Sequence, residues 1–492
     1  MNVRIVVILL QILLLPLAAQ GQSGNTSVDR SKEAKAQHAK ELELLRAAVA
    51  QELSGGLFAR CLAAVEIADA ESGDILVSRH ADLLLRPASN AKLVTTAAAV
   101  LRLPADFHFE TRIARIDSAG RTLACIGGGD PLFSEQDIQK LAEIAAHSTR
   151  TVADTLLMDG TLFGDDFYGE GWMWDDETDP FAPYLGAFSI NRNTLTVSVS
   201  RSASDPTSPV VRIHPSSAMY TVETASPARD GRGFRVSRGL RRNHILVEGI
   251  PPTQRTVHKR FSMWQPQEVF ADLLLKELRG LGAAHDSTVI VFSAVRAGAA
   301  TLGSVRRPLQ EVLEAANKNS DNLSAECLLR ALAFTGSGRD TQLRAADGLH
   351  VMESALRAAG LNTDDFALRD GSGISFYNLL TARGLGRLLR SRTLHPSAPA
   401  YLSSLSVGGK DGTLRRRMSG HPVSAVRAKT GTVRGVSALS GYVQAPGGRL
   451  LSFVIMMQNF AGKPSPYRDV QDRIVGHCLK YSAAAASVRQ LR

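Results

Sequence analysis

The sequence predicts an α+β protein in which one mixed block of structure is inserted into another. Three observations point there. Segments of alternating or apolar β-type residues joined by turn residues lie near both ends, at 62–80 and 426–458. Amphipathic helical segments accompany them, at 31–53, 86–103 and beyond 308. Between about 105 and 301 the character changes to many short strands with two helices among them. A chain of 492 residues exceeds one ordinary domain, and 44% hydrophobic with 21% charged residues predicts packed cores rather than disorder.

In order, residues 23–29 read as a polar linker. A helix over 31–53 follows, with Leu42, Leu45, Val49 and Leu53 as its apolar stripe and Gly55-Gly56 as its stop. Two Val/Ile/Leu-rich runs flanking Glu71-Ser72-Gly73-Asp74 predict a hairpin. Pro87 opens a helix in which Ala91, Leu93, Val94, Ala97, Ala98 and Leu101 recur at helical spacing, and Pro104 marks its end. In the middle block, GGGDP at 127–131 breaks the chain, a serine-capped helix covers 134–148, and another covers 265–281. Strands are predicted between them, one of them taking in Ser189 and another near 287–295. Trp172 and Trp174 are read as core anchors, and Asp175, Asp176, Glu177 and Asp179 as a solvated acidic loop rather than a cation site. A helix starts at Pro308, breaks over 317–322 and resumes. A turn at 370–373, a helix over 378–389, strands over 426–458 turning at 445–448, and a C-terminal helix complete the chain.

Composition excludes several function classes. The net charge of +10 comes from scattered Lys and Arg with no basic run interleaved with aromatics, which argues against nucleic-acid binding. Dispersed histidines without H-E-x-x-H argue against a zinc hydrolase. Cys61, Cys125, Cys327 and Cys478 are too widely spaced for a compact disulfide framework, and bridges and buried thiols both remain open. Residues 1–21 read as a secretory signal: Arg4, an apolar run from Ile5 to Leu17, then small residues. An uncleaved anchor is the competing reading; no cysteine follows the run to carry a lipid. The expected location is outside the cytoplasmic membrane, peripheral to it at most.

The chemistry concentrates in short motifs. Ser89 and Lys92 are three apart, so a helix brings them to one face. A serine hydroxyl becomes a useful nucleophile when a base takes its proton, and a lysine of lowered pKa is such a base. Ser320-Asp321-Asn322 falls between two predicted helices, and Lys429-Thr430-Gly431 on a predicted strand. Each has an ordinary alternative: Ser89 or Ser320 as a helix cap, Asn322 as a turn residue, Lys429 as an exposed strand lysine. Ser89 begins the one S-x-x-K in the chain and Lys429 the one K-T-G, while S-x-N recurs at Ser23 and Ser189.

S-x-x-K, S-D-N and K-T-G in this order are the signature shared by serine β-lactamases and penicillin-binding proteins. The gap between the first two is far longer than a single helical domain needs. With PASNAKLVT at 87–95, GGGDP, GWMWDD at 171–176, SDNLSAECLLR at 320–330, DGSGIS at 370–375, KDGTL at 410–414 and AKTGT at 428–432, nearly the whole mature chain resembles the class C low-molecular-mass penicillin-binding proteins. These are the D-alanyl-D-alanine carboxypeptidase/endopeptidase family, DacB-like. One departure is Phe376, where the family usually carries arginine.

The resemblance implies a penicillin-binding/β-lactamase-like transpeptidase fold, an antiparallel sheet with helices on both sides. Its catalytic domain is split into 22–104 and 302–492 by an α+β insertion at 105–301. It implies cleavage of D-Ala–D-Ala bonds in peptidoglycan stem peptides, and of cross-links, without metal or organic cofactor, and acylation by β-lactam antibiotics. The implied roles are Ser89 as nucleophile, Lys92 as base and Ser320 as proton relay. Asn322, Lys429, Thr430, Gly431 and Thr432 bind substrate, and Lys429 helps keep Lys92 neutral as a like charge. The Ser89 and Thr432 N–H groups form the oxyanion hole. A serine β-lactamase and a catalytically silent wall-binding protein are the alternatives.

Overall fold

The computed structural model describes residues 23–481, apart from 118, 149–150, 165, 203, 206–207, 226–232, 254, 296–297, 335–341, 394 and 423–424. The expected signal at 1–21 lies outside the described residues. No helix of the described chain is long and apolar enough to cross a membrane.

A six-stranded antiparallel sheet organises the catalytic body. Its order is Ser406–Val407, Val426–Val433, Val436–Gln444, Leu450–Gln458, Leu62–Asp69 and Ile75–Arg79. Successive strand residues point to opposite faces, and here both faces are covered. Val65, Ile67, Ile455 and Met457 face Leu45, Val49 and Leu53 of helix Ser23–Glu52 and Val470 and Ile474 of helix Ser465–Leu479. Ala64, Val454 and Met456 face the other core, built from helices that include Ala91–Arg102, Leu309–Lys318, Asn322–Ala331 and Ala382–Thr393. Two-sided burial explains why FVIMM, 453–457, is an unbroken apolar run rather than an alternating one.

The middle block forms a second lobe with its own core. A five-stranded sheet, ordered Ala284–Phe292, Ala153–Asp159, Thr122–Ile126, His108–Arg115 and Ala300–Pro308, packs against helices Glu135–Ser148 and Pro266–Gly280. Two three-stranded sheets complete it.

Several elements differ from the sequence expectation. Residues 23–29 are helical, continuous with Ser23–Glu52; lacking an apolar stripe, they carry no periodicity to reveal it. Ser189 lies before a turn rather than in a strand. Asn191, Arg192 and Asn193 all have left-handed φ, of 48°, 58° and 54°, and the strand begins at Thr194. Pro308 ends the strand that pairs with His108–Arg115, so the second lobe's sheet runs past 301 and the helix begins at Leu309. Leu379–Leu380 bridge to Phe366–Ala367, and that helix starts only at Ala382. All four cysteines are free thiols. Trp174 is no core anchor: it is 75% exposed, whereas Trp172 packs at the edge of the main core.

Candidate active site

Ser89 sits in a single 3-10 turn, Ala88–Asn90, that leads into helix Ala91–Arg102. Ala88 holds a left-handed φ of 46°, costly for a residue with a Cβ. Two glycines and one amide hold it there. A Cβ on Gly373 would stand 1.9 Å from the Ala88 carbonyl oxygen, and one on Gly431 would stand 2.8 Å from that of Pro87. The Asn90 amide donates to Ser440 Oγ at 2.7 Å on the neighbouring strand. The Ser89 turn is thus clamped between the 370–375 loop and the Lys-Thr-Gly strand.

Lys92, fully buried, extends from the first turn of the helix. Its Nζ donates to Ser89 Oγ at 3.2 Å, to Asn322 Oδ1 at 2.5 Å and to the Ser372 carbonyl. Burial pulls its ammonium down to about 8, while the carboxylates of Asp370, Glu326 and Asp321 hold it up. Lys429, also fully buried, donates to Ser320 Oγ at 2.8 Å and to the Thr430 carbonyl at 2.7 Å. Burial, and then the charge of Lys92, push Lys429 well below the ordinary lysine range. The repulsion between the two ammonium groups acts on Lys429 and lowers it further.

Ser320 lies between helices Leu309–Lys318 and Asn322–Ala331 with a left-handed φ of 57°. It is not the cap of the second helix. Asp321 is: its Oδ1 accepts from Ser324 N at 2.7 Å. Ser320 is left to face Lys429. Thr430 Oγ1 donates to Thr413 at 2.9 Å, and Thr432, exposed, accepts from Arg468 at 3.1 Å. The short strand Ser406–Val407 pairs only with Arg427 and Ala428. From Lys429 onward that side of the strand has no strand neighbour among the described residues, and Ser89 stands beside it.

The structure therefore brings Ser89, Lys92, Ser320, Asn322, Lys429 and Gly431 together, with Thr430 and Thr432 on either side of Gly431 along the strand and their hydroxyls turned to Thr413 and Arg468. It also adds parts that sequence reasoning missed. The second lobe reaches the site: the Phe181 carbonyl accepts from the Asn322 amide at 2.6 Å, and Arg192 pairs with Asp321 at 3.4 Å. Trp172 Nε1 donates to Asp370 Oδ2 at 2.9 Å. Asp370 also accepts from the N–H groups of Gly373 and Ser375 and from the Asn378 amide, so it holds the 370–375 loop together. The GWMWDD and DGSGIS motifs carried that signal, but not which side chain meets which. Lys92→Met is expected to leave the protein folded and slow acylation by roughly 10²–10⁴-fold, read from the rate of labelling by a fluorescent penicillin.

The chain matches the family model of the D-Ala-D-Ala carboxypeptidase 3 (S13) family over residues 45–480. It is 31% identical over 446 residues to the D-alanyl-D-alanine carboxypeptidase of Actinomadura sp. (strain R39), covering 86% of this chain and 82% of that one. It is 24% identical over 403 residues to D-alanyl-D-alanine carboxypeptidase DacB of Haemophilus influenzae, covering 79% and 83%. The crystal structure of penicillin binding protein 4 (dacB) from Haemophilus influenzae shares the fold, with a TM-score of 0.77 at 22% identity over 88% of this chain and 99% of that chain. A family match spanning both halves of the catalytic body and the lobe between them, carried by residues that meet in one cleft, establishes that this chain belongs to the D-Ala-D-Ala carboxypeptidase 3 (S13) family.

Proposed function

We propose that the protein is a serine-type D-alanyl-D-alanine carboxypeptidase, and also a DD-endopeptidase, acting on peptidoglycan stem peptides in the cell envelope after export. The observation that carries the reading is the linked set Ser89–Lys92–Asn322 and Ser320–Lys429. Lys92, neutral, takes the Ser89 proton as Oγ attacks the carbonyl of the penultimate D-alanine. The tetrahedral oxyanion is met by the N–H groups of Ser89 and Thr432. Ser320, hydrogen-bonded to Lys429, passes a proton to the departing amine, and water then releases the acyl group. Asn322 holds the acyl-side amide. Lys429, Thr430 and Thr432 take the terminal carboxylate, with the substrate backbone laid along the open side of the strand, and Gly431 lets the Ser89 turn stand against that strand. A β-lactam amide enters by the same route, and its acyl group stays on Ser89.

A class A β-lactamase deacylates with water activated by a glutamate. Glu326, near Lys92, has Oε1 occupied by the N–H groups of Gly371 and Ser372, at 3.0 and 2.9 Å, and Oε2 by Arg330, which supports a peptidase over a β-lactamase. The test is to incubate the purified protein with defined muropeptides and weigh the products. Release of one D-alanine from pentapeptides, and cleavage of cross-linked dimers, is expected. Rapid turnover of a chromogenic cephalosporin with intact muropeptides would reverse the assignment.

The pH dependence follows from Lys92. Its proton must be absent for it to act as base, and its pKa is lowered to about 8. The acylation rate constant is expected to rise about tenfold per pH unit below that value and to level above it. A stopped-flow series with a fluorescent penicillin measures the limb.

A further inference from the structure

Glu326 lies on helix Asn322–Ala331, fully buried, and touches none of the reacting groups. Its Oε1 accepts the N–H of Gly371 at 3.0 Å and of Ser372 at 2.9 Å. The next peptide along turns its carbonyl, that of Ser372, onto Lys92 Nζ, while its N–H donates to Asp370 Oδ1 at 2.7 Å. Two buried carboxylates therefore grip three successive N–H groups of one turn, and the one carbonyl so presented faces the base. We propose that Glu326 is a positioning residue for Lys92. It fixes the Ser372 carbonyl against the ammonium, and its negative charge sets how readily that ammonium gives up its proton.

The surroundings make the charge effective. Glu326 faces Arg330 on its own helix, Asp370 on the loop and Lys92 on the nucleophile helix. Lys92 in turn faces Asp370, Glu326 and Asp321, hydrogen-bonds Ser89 and Asn322, and repels the ammonium of Lys429, which holds Ser320. Arg330 is held by Glu326, by the Asp166 carbonyl and over the Phe163 ring. Burial raises the Glu326 carboxyl, while the Arg330 guanidinium and the N–H donors on its oxygens favour the anion. Inside a protein such a hydrogen-bonded chain is polarised along its length.

The inference rests on the acylation reading above, and the experiment separates the two. The first-order rate constant for labelling by a fluorescent penicillin is measured from pH 5 to 10 for the wild type, Glu326→Gln and Thr95→Val. A glutamine oxygen still accepts both N–H groups, so Glu326→Gln removes charge while the turn is kept. Its acid limb is expected to move to lower pH by about one unit, with a lower plateau because the base is weaker. Thr95→Val deletes the hydrogen bond from Thr95 Oγ1 to the Gly371 carbonyl, 2.7 Å, and changes no charge. It is expected to lower the rate at every pH without moving the limb. A rate constant does not depend on the folded fraction; should Glu326→Gln not accumulate, Glu326→Gln with Arg330→Met replaces the pair by neutral groups and is expected to move the limb in the same direction by a smaller amount, because the nearer charge of the pair is the carboxylate. An unmoved or alkaline-shifted limb, or an equal shift in Thr95→Val, overturns the proposal. A wild type that takes no label fails the acylation reading instead.

Discussion

Ser89→Ala will remain folded and take up no fluorescent penicillin, and its release of D-alanine from muropeptides will fall by at least about 10⁴-fold. The side chain lost is one hydroxyl, half-exposed, whose hydrogen bond is to Lys92. Lys92 keeps Asn322 Oδ1 and the Ser372 carbonyl, so its buried ammonium is not orphaned. Stability should therefore change by no more than about 0.5 kcal/mol, and thermal unfolding should superpose on the wild type. All that disappears is the atom proposed to attack. Covalent label on the variant, seen by intact-mass measurement, would falsify the assignment of Ser89.

Gly373→Ala is expected to be nearly as damaging, although Gly373 carries no reactive group. Its φ of +86° is unfavourable for any residue with a Cβ, by about 1–2 kcal/mol. The added carbon would also lie 1.9 Å from the Ala88 carbonyl oxygen, and that atom is backbone, so the nucleophile turn itself must move. Overpacking of this kind costs about 1–3 kcal/mol more. A displacement of Ser89 by even an ångström then costs about 10²-fold in rate. The measurements are the thermal midpoint and the acylation rate constant on the folded fraction. Both should fall; an unchanged rate constant would mean that the loop does not set the position of the serine.

Much of this molecule was legible in its sequence, and the pattern of what was legible has physical causes. The hairpins of the six-stranded sheet, the helices of the catalytic body and the junction holding Ser320 are local, fixed by periodicity and breakers within a few residues. The three motifs could be placed on a turn, a junction and a strand for the same reason. Features that depend on long-range contact were not legible. The helix at 23–29 has no apolar stripe. The left-handed run at Asn191–Asn193 reads as strand by composition alone. Trp174 looks like core because tryptophan usually is, yet it lies exposed. Glu326 sat in view within SDNLSAECLLR, but its task is set by N–H groups some forty-five positions away. Nor does any local pattern reveal that Phe181 and Arg192 of the second lobe brace the Ser-Asp-Asn junction.

That bracing has a consequence for how the molecule comes apart. A lobe that merely hung from the catalytic body would melt on its own and leave the cleft intact. Here Phe163 and Leu185 share the apolar interior of the catalytic helices, and Arg192, Phe181 and Trp172 are fastened to the reactive cleft. Differential scanning calorimetry should accordingly record one endotherm rather than two, and an occupant covalently fixed to the serine should shift all of it.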